Sequence, residues 1–173
     1  MRTQPLIIAA VDLDHCATTI IEQAAHLATL CQGQLTLVHI VDYPGGCEAD
    51  HPVPVRPGQV LADMTRHARA SLVGMIHHLD LPIDAVRVRV ETGPLVDTLA
   101  GLVAEVQPRY LLIGPRRLGP LSPSAGFASA ISPHSACEIL VVPAGARPRR
   151  RELLSRIRHW FAGGEAIPRA HAQ

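Results

Sequence analysis

The chain has 173 residues, 47% of them apolar, and a formal charge of +1, enough material for one hydrophobic core that folds without a disulfide or a metal. That charge is unevenly placed: residues 1–142 hold nine Arg against thirteen Asp and Glu, a net of −4, while residues 143–173 hold seven Arg against Glu152 and Glu165, a net of +5. A nucleic-acid surface spread over the fold is excluded, and any attraction to phosphate-bearing partners is confined to the C-terminal stretch.

The run Pro5-Leu-Ile-Ile-Ala-Ala-Val-Asp12 predicts a first strand covered on both faces and ending in an acid. Its six apolar residues, Leu6 to Val11, are too few for a signal-peptide core, and no stretch of eighteen apolar residues follows, so the expected compartment is the cytoplasm. From Cys16 to Leu30, apolar Ile20, Ala24, Leu27 and Cys31 recur at helical spacing, with Gly33 as the expected stop. Gln34 to Asp42 is a second β-branched apolar run, completing a βαβ unit.

Residues 43–58 crowd Pro44, Gly45, Gly46, Pro52, Pro54, Pro57 and Gly58 into a surface loop. A second helix is expected from Gly58 to Leu79, with Val60, Leu61, Met64, Ala68, Leu72, Met75 and Ile76 on one side and Pro82 beyond its end. Asp84 to Glu91 alternates Val with Arg, placing Arg87 and Arg89 on one face of a strand near a sheet edge. Gly93-Pro94 opens a third helix whose buried stripe is Leu95, Leu99, Leu102, Val103 and Val106. Tyr110 to Gly114 is a fourth strand; a loop from Pro115 to about Gly126, a short helix near 125–134 and a fifth strand, Cys137 to Val142, complete the series.

Strands alternating with helices imply a single α/β domain over residues 1–142: a five-stranded, doubly wound parallel sheet with helices on both faces. Ligands in such sheets sit beyond the carboxyl ends of the strands where the strand order reverses, which directs attention to Asp12 and the loop after Gly114. Residues 143–173 form a separate tail. Within Arg149 to Phe161, apolar Leu153, Leu154, Ile157, Trp160 and Phe161 share an arc of about 120°, flanked by Arg, the pattern of a basic amphipathic helix. Such a helix suits a membrane surface, a partner protein, or the protein's own surface.

Other reactive residues read as structural. Cys16, Cys31, Cys47 and Cys137 include no C-x-x-C pair. Asp14, His15 and Cys16 cluster after the first strand, where Asp14 is placed to cap the first helix; adjacency alone gives a nucleophile no base. His39 reads as a satisfied core histidine. Adjacent His77 and His78 point to different sides of a helix, and no metal site is expected.

Taken together, Ala10-Val11-Asp12, Leu37-Val38-His39-Ile40-Val41-Asp42, Thr92-Gly93-Pro94, Leu111-Leu112-Ile113-Gly114 and His134-Ser-Ala-Cys137-Glu-Ile-Leu-Val-Val142, in this order and spacing, resemble the universal stress protein family over about residues 5–142. The resemblance implies the adenine nucleotide alpha hydrolase-like fold. It also implies a cleft in which Asp12 reads the adenine edge, Ile40 packs on the ring, and a glycine-rich loop wraps ribose and phosphates. The expected contributors are Ala10, Val11, Asp12, Ile40, Ile113, Gly114, Arg116, Arg117, Gly119 and Gly126.

The loop departs from the family pattern G-x-x-G-x(9)-G-S/T. Gly114 matches the first glycine, but Arg117 stands at the second, only eight residues separate it from Gly126, and Phe127 replaces the hydroxyl. Pro115, Pro120 and Pro123 each remove a backbone N–H that a phosphate cradle would use. Arg116 and Arg117 could replace those donors with charge-assisted bonds, or form a solvated turn where nucleotide binding has been lost.

Three functions follow as expectations. The first is a regulatory or adaptor protein of the stress response, homodimeric through the fifth strand, with a degraded or lost pocket for ATP or another adenine nucleotide. The second is an ATP-binding protein or slow ATP hydrolase on the same fold. The third is a membrane-peripheral adaptor whose tail touches a membrane surface or a transporter.

Overall fold

A computed structural model of the chain describes residues 4–42, 57–114 and 137–143. Its elements in chain order are β1 (Leu6–Ala10), α1 (Ala17–Cys31), β2 (Gln34–Val41), α2 (Pro57–His78), a 3₁₀ turn (Ile83–Ala85), β3 (Val86–Thr92), α3 (Leu95–Val106), β4 (Tyr110–Ile113) and β5 (Glu138–Val141). Of the loop expected over residues 43–58, Pro57 and Gly58 instead begin α2; its other residues, the short helix near 125–134, Cys47 and the tail helix lie outside the described residues.

All five strands are parallel, in the order β3-β2-β1-β4-β5. The chain thus winds outward from β1 to β3, returns past β1 to β4, and continues to β5, so the strand order reverses between β1 and β4. Helices α1 and α2 cover one face, where Ile7, Ala9, Leu35, Leu37 and Leu112 meet Ile20, Ile21 and Ala24 of α1 and Leu72 and Ile76 of α2. Helix α3 covers the other, where Ile8, Val38, Ile40, Leu111 and Ile113 meet Leu99, Leu102 and Val103. The doubly wound sheet expected from the alternating pattern is therefore observed. Central β1 is buried on both faces, which is why its sequence shows no polar alternation.

The buried stripe of α1 is Ile20, Ile21, Ala24, Ala25 and Ala28; Leu27 and Cys31, expected inside it, are only half-buried. The small alanines turn toward the sheet and let the helix lie close to it. In α2, Ala68, Leu72 and Ile76 are buried as expected, but Met64 is 40% exposed, so the first turns of this helix lie less closely on the sheet.

Element boundaries differ from expectation for identifiable reasons. The left-handed residue ending α1 is Gln32 (φ 51°), one position before Gly33, and its N–H donates to Thr29 O at 3.3 Å. Pro94 stands just before α3 with extended backbone (ψ 127°) instead of inside its first turn. Gly93 before it has φ +137°, where a side chain would be strained, and a Cβ there would lie 2.8 Å from Thr98 Oγ1. Asp84 and Ala85, expected in the third strand, form the 3₁₀ turn, closed by Ala85 N–H to Pro82 O at 3.1 Å. No helix among the described residues is long and apolar enough to cross a membrane.

Candidate functional site

The reversal between β1 and β4 brings together the carboxyl ends of the strands that carry the expected site. Ala10 lies opposite Val38 of β2 and Ile113 of β4. Ala10 packs on the α3 side, the side on which Ile40 and Ile113 are buried at 7% and 5% exposure, and Asp12 follows two residues beyond the end of β1. Asp12 itself is half-buried. Gly114 follows Ile113 directly, and a Cβ on it would meet Ile20 Cδ1 at 2.7 Å, so this glycine lets the end of β4 approach α1.

The chain leaving β1 is held in place by β2. Val11 N–H donates to Val38 O at 2.8 Å. In return, His39 Nδ1–H donates to Val11 O, also at 2.8 Å, which fixes the proton on Nδ1 because a carbonyl only accepts. The residue before Asp12 is therefore tied through both backbone polar groups. His39 is satisfied, as its place in the strand suggested, but it also positions the carboxylate-bearing turn. The sequence signal for that role is a polar ring at an inward-alternating position of an otherwise apolar strand.

Beyond Asp12 the chain turns into α1. Asp14 Oδ1 accepts Cys16 N–H at 2.8 Å, and Asp14 O accepts Ala17 N–H at 3.2 Å. Asp14 thus braces the turn before α1, but it is not the cap expected of it: the capping position is Cys16, and no side chain hydrogen-bonds a free N–H of the first helical turn. Asp14 and His15 are exposed while Cys16 is buried.

Of the expected site residues, the fold gathers Ala10, Val11, Asp12, Ile40, Ile113 and Gly114 at this end of the sheet. Arg116, Arg117, Gly119 and Gly126 lie outside the described residues. Away from the cleft, Arg89 on edge strand β3 is hydrogen-bonded to Glu91 and reaches Glu105 of α3 at 3.3 Å. The bond to Glu91, then that to Glu105, raises the guanidinium above its ordinary range. At the other edge of the sheet, burial and then the neighbouring Glu138 push the Cys137 thiol up to about 11.

Chemically, a carboxylate just past the end of one strand can direct a polar edge of a flat ring, and buried isoleucines of the neighbouring strands can take its face. The comparisons with known proteins agree with the fold. A model of the universal stress protein family matches residues 6–143. No curated protein matches the chain in sequence. Among solved structures, the chain is similar to the universal stress protein UspA from Lactobacillus plantarum, with 17% identity, a TM-score of 0.58, and coverage of 82% of this chain and 99% of that one. It is also similar to a universal stress protein family member from Burkholderia pseudomallei, with 17% identity, a TM-score of 0.54, and coverage of 81% and 96%. A universal stress protein solved in complex with cAMP shares 15% identity, with a TM-score of 0.53 and coverage of 82% and 98%. At such identities the likeness speaks to the fold alone.

Proposed function

This chain belongs to the universal stress protein family, and from that premise we propose that it is a regulator or adaptor of the stress response whose adenine-nucleotide pocket is degraded or lost, its phosphate end most of all. The observation that carries this reading is a contrast between neighbouring segments. Asp12 and Gly114 follow the carboxyl ends of β1 and β4, between which the strand order reverses, and Ile40 and Ile113 are buried on the α3 side, whereas the sequence after Gly114 replaces a phosphate-binding glycine with Arg117 and places three prolines from Pro115 to Pro123. A triphosphate held by converging backbone N–H groups loses a donor at each proline. The protein then acts by binding partners, with no bond broken.

As a regulator, it works in the cytoplasm as a homodimer joined through β5, which lies at a sheet edge with Val141 45% exposed. Its basic segment, residues 143–173, is the surface offered to a protein partner, a transporter or an anionic membrane. Liposome flotation of the chain with and without residues 147–173 separates these: binding that depends on the tail supports the membrane, and equal behaviour removes it.

A second reading is favoured by the fold relative solved with cAMP. Here Arg116 and Arg117 supply charge-assisted bonds in place of the missing backbone donors, and nucleotide occupancy biases the dimer or tail toward a partner. Slow hydrolysis is the extension of that reading. Phosphate release from ATP with magnesium decides it: the proposal expects the same background from the parent, Asp12→Ala and the Arg116→Ala/Arg117→Ala double variant. Release that vanishes in both variants assigns the protein to the hydrolases.

A further inference from the structure

We propose that Asp14, His15 and Cys16 form a binding site for a zinc-class divalent transition metal at the mouth of the cleft. No metal site was expected from the sequence, in which Asp14 read as a helix cap and the three residues only as a nucleophile cluster without a base. The turn from β1 into α1 brings them together: one ligand atom from each of the three lies within 4.8 Å of the others. The site stands on this convergence and does not depend on nucleotide binding.

The donor set specifies the class of ion. A thiolate, an imidazole and a carboxylate suit zinc, whereas magnesium and calcium take oxygen ligands. Ligands about 2.0–2.3 Å from a tetrahedral zinc stand roughly 3.5 Å apart, so the three atoms must close by about 1 Å. Asp14 and His15 are exposed, while Cys16, 9% exposed, is held against the core and sets the position of the metal. The Asp14 carboxylate accepts Cys16 N–H through Oδ1 and has a second oxygen for the ion. The N-terminus of α1 opposes a cation, and the two negative charges of thiolate and carboxylate offset it. On binding, the Cys16 thiol releases its proton to water as the metal–sulfur bond forms. The fourth position, on the solvent side, belongs to water.

The test uses the full chain, reduced and stripped with a chelator, titrated with Co²⁺ as the spectroscopic probe and then with Zn²⁺ as competitor. The expected result is one equivalent of Co²⁺ giving a thiolate-to-cobalt charge-transfer band, displaced by Zn²⁺ and unaffected by excess Mg²⁺. Cys16→Ser abolishes the band, while the triple variant Cys31→Ser/Cys47→Ser/Cys137→Ser keeps it. His15→Ala and Asp14→Asn, both at exposed positions, weaken Co²⁺ binding by about tenfold or more. Absence of the band in the parent, its persistence in Cys16→Ser, or unchanged affinity in both His15→Ala and Asp14→Asn overturns the proposal.

Discussion

His39 shows how one side chain can fix the geometry of a site it does not enter. Its Nδ1–H satisfies Val11 O, and removing it leaves a part-buried carbonyl short of a partner. His39→Ala is therefore expected to lower stability by about 1 kcal/mol, seen as a lower urea midpoint at unchanged slope. A second residue-scale expectation concerns Cys137. Because its thiol is raised from 9.0 to about 11, its thiolate fraction at neutral pH falls about a hundredfold. Alkylation of Cys137 at pH 7.5, followed by peptide mass spectrometry, should be slower by about that factor in the native chain than in urea. The sign for stability follows: the folded state holds this proton more tightly, so the contribution is fully present below pH 9.0 and is lost as pH rises toward about 11. The places of Asp12 and Ile40 at the ends of the first two strands were legible because the apolar runs that end there are visible in sequence; the roles proposed for them come from the family resemblance. The tie from His39 to Val11 was not legible, since it depends on the register between two strands.

At the scale of elements, α1 and α3 end on left-handed residues that are not glycine, Gln32 at φ 51° and Gln107 at φ 46°, and Asp80, also left-handed at φ 54°, follows α2. This is why the stop of α1 fell one residue from its expected place: the chain uses a costly conformation where sequence offers no flag. Gln107→Gly should raise stability by about 0.5–1 kcal/mol, the relief of left-handed strain less the added freedom of the unfolded chain, measured by urea denaturation. The strands were read more accurately, because β-branched runs flanked by turns mark them directly. Even so, Asp84 and Ala85 were absorbed by the 3₁₀ turn after Pro82. Edge strand β5 carries the proposed dimer. Val141→Arg on its exposed side should convert a dimer to a monomer in sedimentation velocity, and a dimer unchanged by this charge would move the interface elsewhere.

At the scale of the whole molecule, the parallel sheet and its helices on both faces were legible because the period of hydrophobicity changes with each element, and right-handed crossovers leave few ways to assemble them. The same logic locates the strand-order reversal, and Asp12 and Gly114 follow the ends of the neighbouring strands β1 and β4. The proposed phosphate end, from Pro115 onward, was not legible in the same way, since its prolines and arginines interrupt the family's glycine pattern and carry no hydrophobic period. Its chemistry is accordingly the place to test the account. The most direct measurement is thermal unfolding of the nucleotide-stripped protein across a titration of ATP, ADP and AMP with magnesium. Saturation at a hundred times the dissociation constant would stabilise the fold by about 2.7 kcal/mol, a rise of about 5–10 °C in midpoint for a chain of this size. A degraded pocket predicts no saturable shift up to millimolar nucleotide. A saturable rise of that size, lost in Asp12→Ala, would contradict it and show a working adenine-nucleotide cleft.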